Sequence, residues 1–376
     1  NIVKLIIREE LNMNITMLGN SRSGKTNYIV SLFKLLDMCD TRYNISLADT
    51  DDCVKQFLRD NNCLYPDNIA INGKRKEAGF CPSSDKTSFF NFTITCNRKP
   101  FLEISSFDYP GGFTNDIPNP KDFKRNTKDD LGVDAEGIIN ILSCTDIAFV
   151  FLDSTILNRN LDDSKKCITD LGLDNIVKSL LWAASQKVRA DGRIDVSLIL
   201  TKTDLITTDI KALENYAQEL FFEEIDKQNR FTYNKDDINC IRLLGTFGVT
   251  VVGKNKTYVN SNGEECIKQN AVLEPENVLS AFFTTILKYT DRCEYYLDNE
   301  SGRENKNAFK NAVEYFSYFV AYFTLTASSL ASKALHFAGS CWMTGLTFLK
   351  RRKIKNFITA IKLSDHQIRQ IIDRKL

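Results

Sequence analysis

Histidine is nearly missing, with two in 376 residues, His336 and His366, both near the C-terminal end. A histidine-based catalytic centre in the first three hundred residues is thereby excluded. Cysteine is present, eleven in all, but the number is odd and no two are spaced C-x-x-C. That pattern argues against a disulfide framework and against a zinc site, and for a reducing compartment. An excess of either charge sign is lacking too: 49 Lys and Arg face 48 Asp and Glu, a formal net charge of +1. Nucleic acid is therefore not expected as a partner. The opening NIVKLIIREEL has no small-residue cleavage site of the signal-peptide kind, so a cytoplasmic location is expected. The chain opens on Asn rather than Met, and its natural start is expected upstream.

Apolar residues make up 43% and charged residues 26%, enough to bury a large core. Met13 to Leu18 reads as a strand, Gly19 to Thr26 as a turn, and Asn27 to Asp37 as an amphipathic helix. A polar stretch from about 50 to 82 holds one short helical pattern, DDCVKQFLRD, and otherwise reads as a long loop. Phe89 to Cys96 alternates in period two, Asn97-Arg98-Lys99-Pro100 is a turn, and Phe101 to Phe107 is the returning strand of a β-hairpin. Residues 147–152, 196–200 and 238–244 are short, uniformly apolar runs, with helical patterns near 164–189 and 208–227. Uniformly apolar strands separated by helices imply a parallel sheet covered on both faces, a doubly wound α/β domain. A further helix is expected after Glu274-Pro275-Glu276.

Chemistry concentrates at the ends of these strands. Gly19-Asn20-Ser21-Arg22-Ser23-Gly24-Lys25-Thr26 matches G-x-x-x-x-G-K-[ST] between a strand and a helix. The glycines let backbone N–H groups turn inward around phosphate, and the following helix adds its dipole. Lys25 is then placed to reach the β- and γ-phosphates, and Thr26 to ligate Mg²⁺. The bland reading is a chance glycine turn. The strand running to Phe107 leads into Asp108-Tyr109-Pro110-Gly111, a D-x-x-G. Asp108 would hold Mg²⁺ through water and the Gly111 N–H would sense the γ-phosphate, the alternative being an ordinary Pro-Gly turn.

After the strand at 196–200 comes Thr201-Lys202-Thr203-Asp204, a variant of N-K-x-D. A carboxylate there accepts two hydrogen bonds from guanine N1–H and N2–H₂, a pair adenine does not offer. Lys202 would lie over the base plane, and Thr201 would line the same loop. The competing reading is a solvated loop. Thr246 and Phe247, after the last strand, are candidates for a base-contacting loop. GTP or GDP with Mg²⁺ are thus the expected ligands.

These motifs resemble the TRAFAC class of P-loop GTPases. The segments GNSRSGKTNYI and DYPGG, within roughly residues 12–292, resemble more closely the bacterial double-GTPase-type domains of conflict and defence systems. The resemblance implies a Ras-like fold of mostly parallel sheet with one antiparallel hairpin strand and helices on both faces, followed by a C-terminal helical tail. It implies two switch segments, with Thr87 as the residue that closes on Mg²⁺ and the γ-phosphate. Thr87 lies 21 residues before Asp108, and residues about 50–82 would then be an insertion in the first switch. A strand-capping role for Thr87 is the alternative. Catalysis would rest on Lys25, Thr87 and Gly111. One departure stands out: Gly112 occupies the place where many such enzymes carry a water-orienting Gln. Hydrolysis to GDP and phosphate is expected to be slow, or to need a group from a protein partner or a second copy. The alternatives are a nucleotide-binding signalling or scaffold module without turnover, and a membrane effector regulated by GTP.

Residues 1–300 are expected to form the GTPase domain and 301–376 a hydrophobic, then basic, tail. Between Ala312 and Leu349 the charged residues are Glu314 and Lys333, and Lys350, Arg351, Arg352, Lys353 and Lys355 follow. Two apolar stretches there are shorter than the roughly 20 residues a full span needs. One reading is a helical hairpin at an anionic membrane surface; the other is a helix pair packed as core.

Overall fold

A computed structural model describes residues 12–48, 52–61, 63–65, 79–81, 88–108, 142, 145–186, 194–232, 241–261, 265–268, 271–300 and 358–373. The chain clusters into two compact units, one of Met13–Ile286 with Ser364–Leu376, the other of Asn1–Asn12 with Leu287–Leu363.

The first unit is built on strand β1 (Asn12–Gly19), helix α1 (Lys25–Tyr43) and a short edge strand β2 (Ile45–Leu47). Helix α2 (Asp52–Asp60) follows, then β3 (Ser88–Cys96) and β4 (Lys99–Asp108). Next come β5 (Ile147–Asp153), α3 (Ser154–Arg159), α4 (Ser164–Leu171), α5 (Leu173–Gln186) and β6 (Ile194–Thr201). Helix α6 (Ile210–Thr232), β7 (Ile241–Gly248) and the small hairpin β8 (Thr257–Val259) and β9 (Glu265–Ile267) precede α7 (Val278–Glu300) and α8 (Asp365–Asp373).

Seven strands form one sheet in the order β2-β3-β4-β1-β5-β6-β7. The β1–β5, β5–β6 and β6–β7 pairs are parallel, and β2–β3 and β3–β4 antiparallel. The mixed, mostly parallel α/β sheet expected of a Ras-like fold is therefore present. One strand was not anticipated. β2 adds an edge beyond the hairpin, from a three-residue stretch, Ile45-Ser46-Leu47, too short to show a period.

Every residue of β5 and β6 is buried, which explains why both read as unbroken apolar runs. Side chains alternate between two covered faces. Ala148, Val150 and Leu152 enter a core with residues of α4, α5 and α6, including Cys167, Leu180 and Phe221. Phe149 and Phe151 point the other way: Phe151 meets the ring of Tyr28 on α1 edge-on at 5.1 Å, and Phe149 stacks on Phe282 of α7 at 6.1 Å. The antiparallel side is held by aromatics instead. Phe33 packs at 5.0 Å from Phe92 and 6.1 Å from Phe90, and Phe57 of α2 lies 4.5 Å from Phe90. The β3–β4 turn is Asn97-Arg98 with φ of 51° and 62°, the twist a two-residue hairpin turn requires.

Of the second unit, the described residues include the later part of α7 and residues 358–363, where Lys362 pairs with Glu294. No described helix is long and apolar enough to cross a membrane. The apolar and basic tail residues 312–355 lie outside the described residues. Ile368 and Ile371 of α8 are buried.

Candidate functional site

Because β1, β5, β6 and β7 run parallel, their carboxyl ends gather at one edge of the sheet, the edge where open α/β sheets bind ligands. The loop from Gly19 to Gly24 leaves β1 and turns directly into α1. Arg22 and Gly24 both adopt left-handed backbone, φ 63° and 84°, and Ser23 N–H closes on Asn20 O at 3.2 Å. Two close approaches demand small residues. A Cβ on Gly19 would lie 2.7 Å from Ser23 Oγ and 2.8 Å from Phe151 O, and one on Gly24 would lie 3.3 Å from Thr201 Cβ.

Lys25, first residue of α1, is buried at 6% exposure, and its ammonium donates to Gly19 O at 2.9 Å and Asn20 O at 3.5 Å. A buried cation is thus held across the mouth of the loop. Ser23 Oγ is buried with no hydrogen-bond partner. An orphaned donor beside a buried ammonium, in a cradle that tolerates no extra Cβ, fits an anion such as phosphate. Asn20 is engaged elsewhere: its Nδ2 donates to Asp170 O at 3.3 Å, and its Oδ1 accepts from Ser21 N–H at 2.8 Å. Ser21 and Arg22 are exposed, and Thr26 is half-buried one residue into α1.

The loop after β6 is assembled from side chains. Thr201, 2% exposed, donates its hydroxyl to Ser23 O at 2.7 Å, with Leu152 O also near at 3.3 Å. It is therefore a clamp between this loop and the glycine loop. Lys202 adopts φ 57° and its ammonium pairs with buried Asp153 at 2.6 Å. Thr203 donates to Val249 O at 3.0 Å and meets Thr250 Oγ1 at 2.8 Å, fastening the loop after β7. Asp204 is half-buried, and burial raises its carboxyl above the ordinary range, against hydrogen bonds from its own and the Gly253 N–H. Glu265 on β9 is also raised by burial, in the field of Lys202, Asp204 and Asp153.

Thr246 and Phe247 require a correction. β7 continues to Gly248, so both lie inside the strand, paired with Leu198 and Ile199, and Thr246 is 8% exposed. The loop at that strand end is Val249–Gly253. Alternation of polar and apolar residues in IRLLGTFG is weak, so the strand end was not legible. Asp153, Thr250, Gly253 and Glu265 were not anticipated either. Asp153 carried one usable signal, an acid at the end of an apolar run.

Asp108 is the last residue of β4 and pairs in register with Ser88, the residue after Thr87. Thr87, Gly111 and Gly112 lie outside the described residues. Among the described residues no group of three or more His, Cys, Asp and Glu is placed to hold a metal. A threonine hydroxyl and a single carboxylate, Thr26 and Asp108, would instead suit a hard cation that keeps several waters.

No family model matches the chain, and no curated protein matches it. Among solved structures, it is similar to the Chaetomium thermophilum signal recognition particle receptor SRb-GTP/SRX complex: 14% identity, TM-score 0.36, over 64% of this chain and 94% of that one. It is also similar to the S. cerevisiae Ski7 GTPase-like domain. The GTP-bound form aligns at 16% identity and TM-score 0.35, over 65% of this chain and 46% of that one. The form with GDP and inorganic phosphate aligns at 14% and 0.35, over 70% and 48%. Superpositions this loose carry no weight for fold or function, which rest on the chain's own sheet and loops.

Proposed function

We propose that this chain binds GTP with Mg²⁺ and acts as a GTP-controlled switch of the P-loop class. The observation that carries this reading is the 2.7 Å bond from Thr201 to Ser23 O, which joins the glycine loop to the loop bearing Asp204. A phosphate cradle and a guanine-reading carboxylate thereby share one rim. Asp204 accepts guanine N1–H and N2–H₂, and Lys202, held by Asp153, supplies the side chain beside the base. Lys25 exchanges its loop carbonyls for the β- and γ-phosphate oxygens. Thr26, Asp108 and Thr87 would hold Mg²⁺, which would supply neutralisation of the triphosphate's charge. Gly111 N–H senses the γ-phosphate.

Turnover, attack of water on the γ-phosphate to give GDP and phosphate, is slow for want of a side chain at Gly112, or depends on a group from a protein partner or second copy. The finer kinship to TRAFAC GTPases and to conflict-system domains belongs to this reading, as does a cytoplasmic protein whose basic tail meets an anionic membrane. Calorimetric titration with GTP, GDP and ATP, each with Mg²⁺, decides the ligand. Guanine-selective binding that shifts to xanthine nucleotide in Asp204→Asn supports the reading, whereas equal binding of ATP removes its guanine half. A scaffold without turnover is separated by multiple-turnover phosphate release. Sedimentation with anionic vesicles tests the tail.

A further inference from the structure

β7 is the last strand of the sheet, so one side of its backbone has no strand beside it. At Gly248, where the strand ends, both backbone groups are nonetheless taken. The N–H donates to Glu214 Oε1 at 2.8 Å, and the carbonyl accepts from Asn277 Nδ2 at 3.1 Å. Glu214 sits one turn into α6 and Asn277 immediately before α7, so two separate segments grip this one residue. α6 also abuts it directly: a Cβ on Gly248 would lie 2.6 Å from Ile210 Cγ2 and 3.3 Å from Thr203 Cγ2. The next residue is held from the β6 side. Val249 N–H donates to Leu200 O at 2.7 Å, and Val249 O accepts the Thr203 hydroxyl at 3.0 Å. Thr203 is the residue before Asp204. The place of Asp204 is therefore tied to Val249, and that of Val249 to the grip on Gly248.

We propose that Glu214 and Asn277 are positioning residues for base recognition, fixing the end of β7 from which the loop bearing Asp204 is hung. The inference rests on the guanine-nucleotide reading. Glu214 is the stronger of the two, because an N–H donating to an ionised acceptor makes roughly twice the hydrogen bond that neutral partners make. Neither residue belongs to the glycine loop or to the loop after β6. Their effect falls on the base and not on the phosphates. A carboxylate moved off the guanine edge loses two hydrogen bonds together, whereas the phosphate cradle is made of backbone and Lys25 on the far side of Thr201.

The full chain is titrated calorimetrically with GDP and with inorganic pyrophosphate, each with Mg²⁺, as wild type, Glu214→Ala, Glu214→Gln and Asn277→Gly. Glycine is the choice at 277 because Asn277 has φ 63°, which glycine adopts without strain. Glu214→Ala is expected to weaken GDP about tenfold with pyrophosphate unchanged, and Asn277→Gly to weaken GDP about threefold. Glu214→Gln keeps an acceptor oxygen for the Gly248 N–H and restores GDP affinity to within about threefold of wild type. Equal loss of GDP and pyrophosphate in Glu214→Ala, or a Gln variant as weak as the Ala variant, means a merely structural contact and overturns the positioning role. If Glu214→Ala does not fold, the ratio of GDP to pyrophosphate affinity in Asn277→Gly decides alone. ADP bound by the wild type as tightly as GDP overturns the guanine reading, and this inference with it. A guanine preference that every variant leaves intact overturns this inference only.

Discussion

The two loops at the carboxyl edge of the sheet solve their tasks by different means. The glycine loop after β1 is built from backbone: two left-handed residues, two positions that reject a Cβ, and one buried lysine. The loop after β6 is built from side chains that reach the ends of two neighbouring strands, Lys202 to Asp153 after β5, and Thr203 to Val249 and Thr250 and Asp204 to Gly253 after β7. Phosphate is a compact anion that backbone amides and one cation suffice to hold. A base edge needs an acceptor at a fixed place, and fixing it takes buttresses from neighbouring strands.

The largest expected effect falls on the backbone-built loop. Lys25→Ala removes the buried cation of that loop and should weaken GTP and GDP by about a hundredfold or more, with circular dichroism unchanged; calorimetry checks it. Comparable affinities in the variant would mean that Lys25 serves the loop carbonyls alone. Asp204→Asn should cost about a hundredfold in GTP and favour xanthine nucleotide, leaving the glycine loop intact. A loss that is equal for all nucleotides would dissolve the distinction between the loops. Gly19→Ala drives a Cβ to 2.8 Å from a backbone oxygen that has no room to yield, so urea unfolding should show roughly 1–3 kcal/mol of destabilisation.

Thr201→Val tests the joint itself. Losing a buried hydroxyl that donates to Ser23 O should cost about 1–2 kcal/mol of stability and loosen both base and phosphate binding. The smallest effect is on pH. Base reading needs Asp204 ionised, and burial raises its carboxyl, so the protonated, non-accepting form gains ground at higher pH than for an exposed aspartate. GTP affinity should therefore fall, roughly tenfold at most, as pH drops through that raised value, and Asp204→Asn should flatten the profile.

The same contrast explains what could be read in advance. The glycine loop is contiguous, so eight successive residues announce it. β5 and β6 announced themselves because burial on both faces leaves no polar position to confuse the period. The base-side loop was half legible: Asp204 stands in a recognisable string, but Asp153 lies 51 residues earlier and Glu265 sits on a hairpin after β7. Placing the base loop at Thr246 and Phe247 failed because β7 runs four residues past Leu244, held by pairing with β6. β2 escaped notice because three residues form a strand only when β3 offers an edge.

The sequence by itself determined the α/β class, the presence of the buried strands, and the phosphate-type loop, since each is a local pattern of polarity or conformational freedom. Tertiary structure alone decided that Thr201 clamps the glycine loop and that Lys202 is held by Asp153. Those contacts join residues distant in the chain, and the distance between them is set by how strands pair and helices pack, which no local spacing encodes.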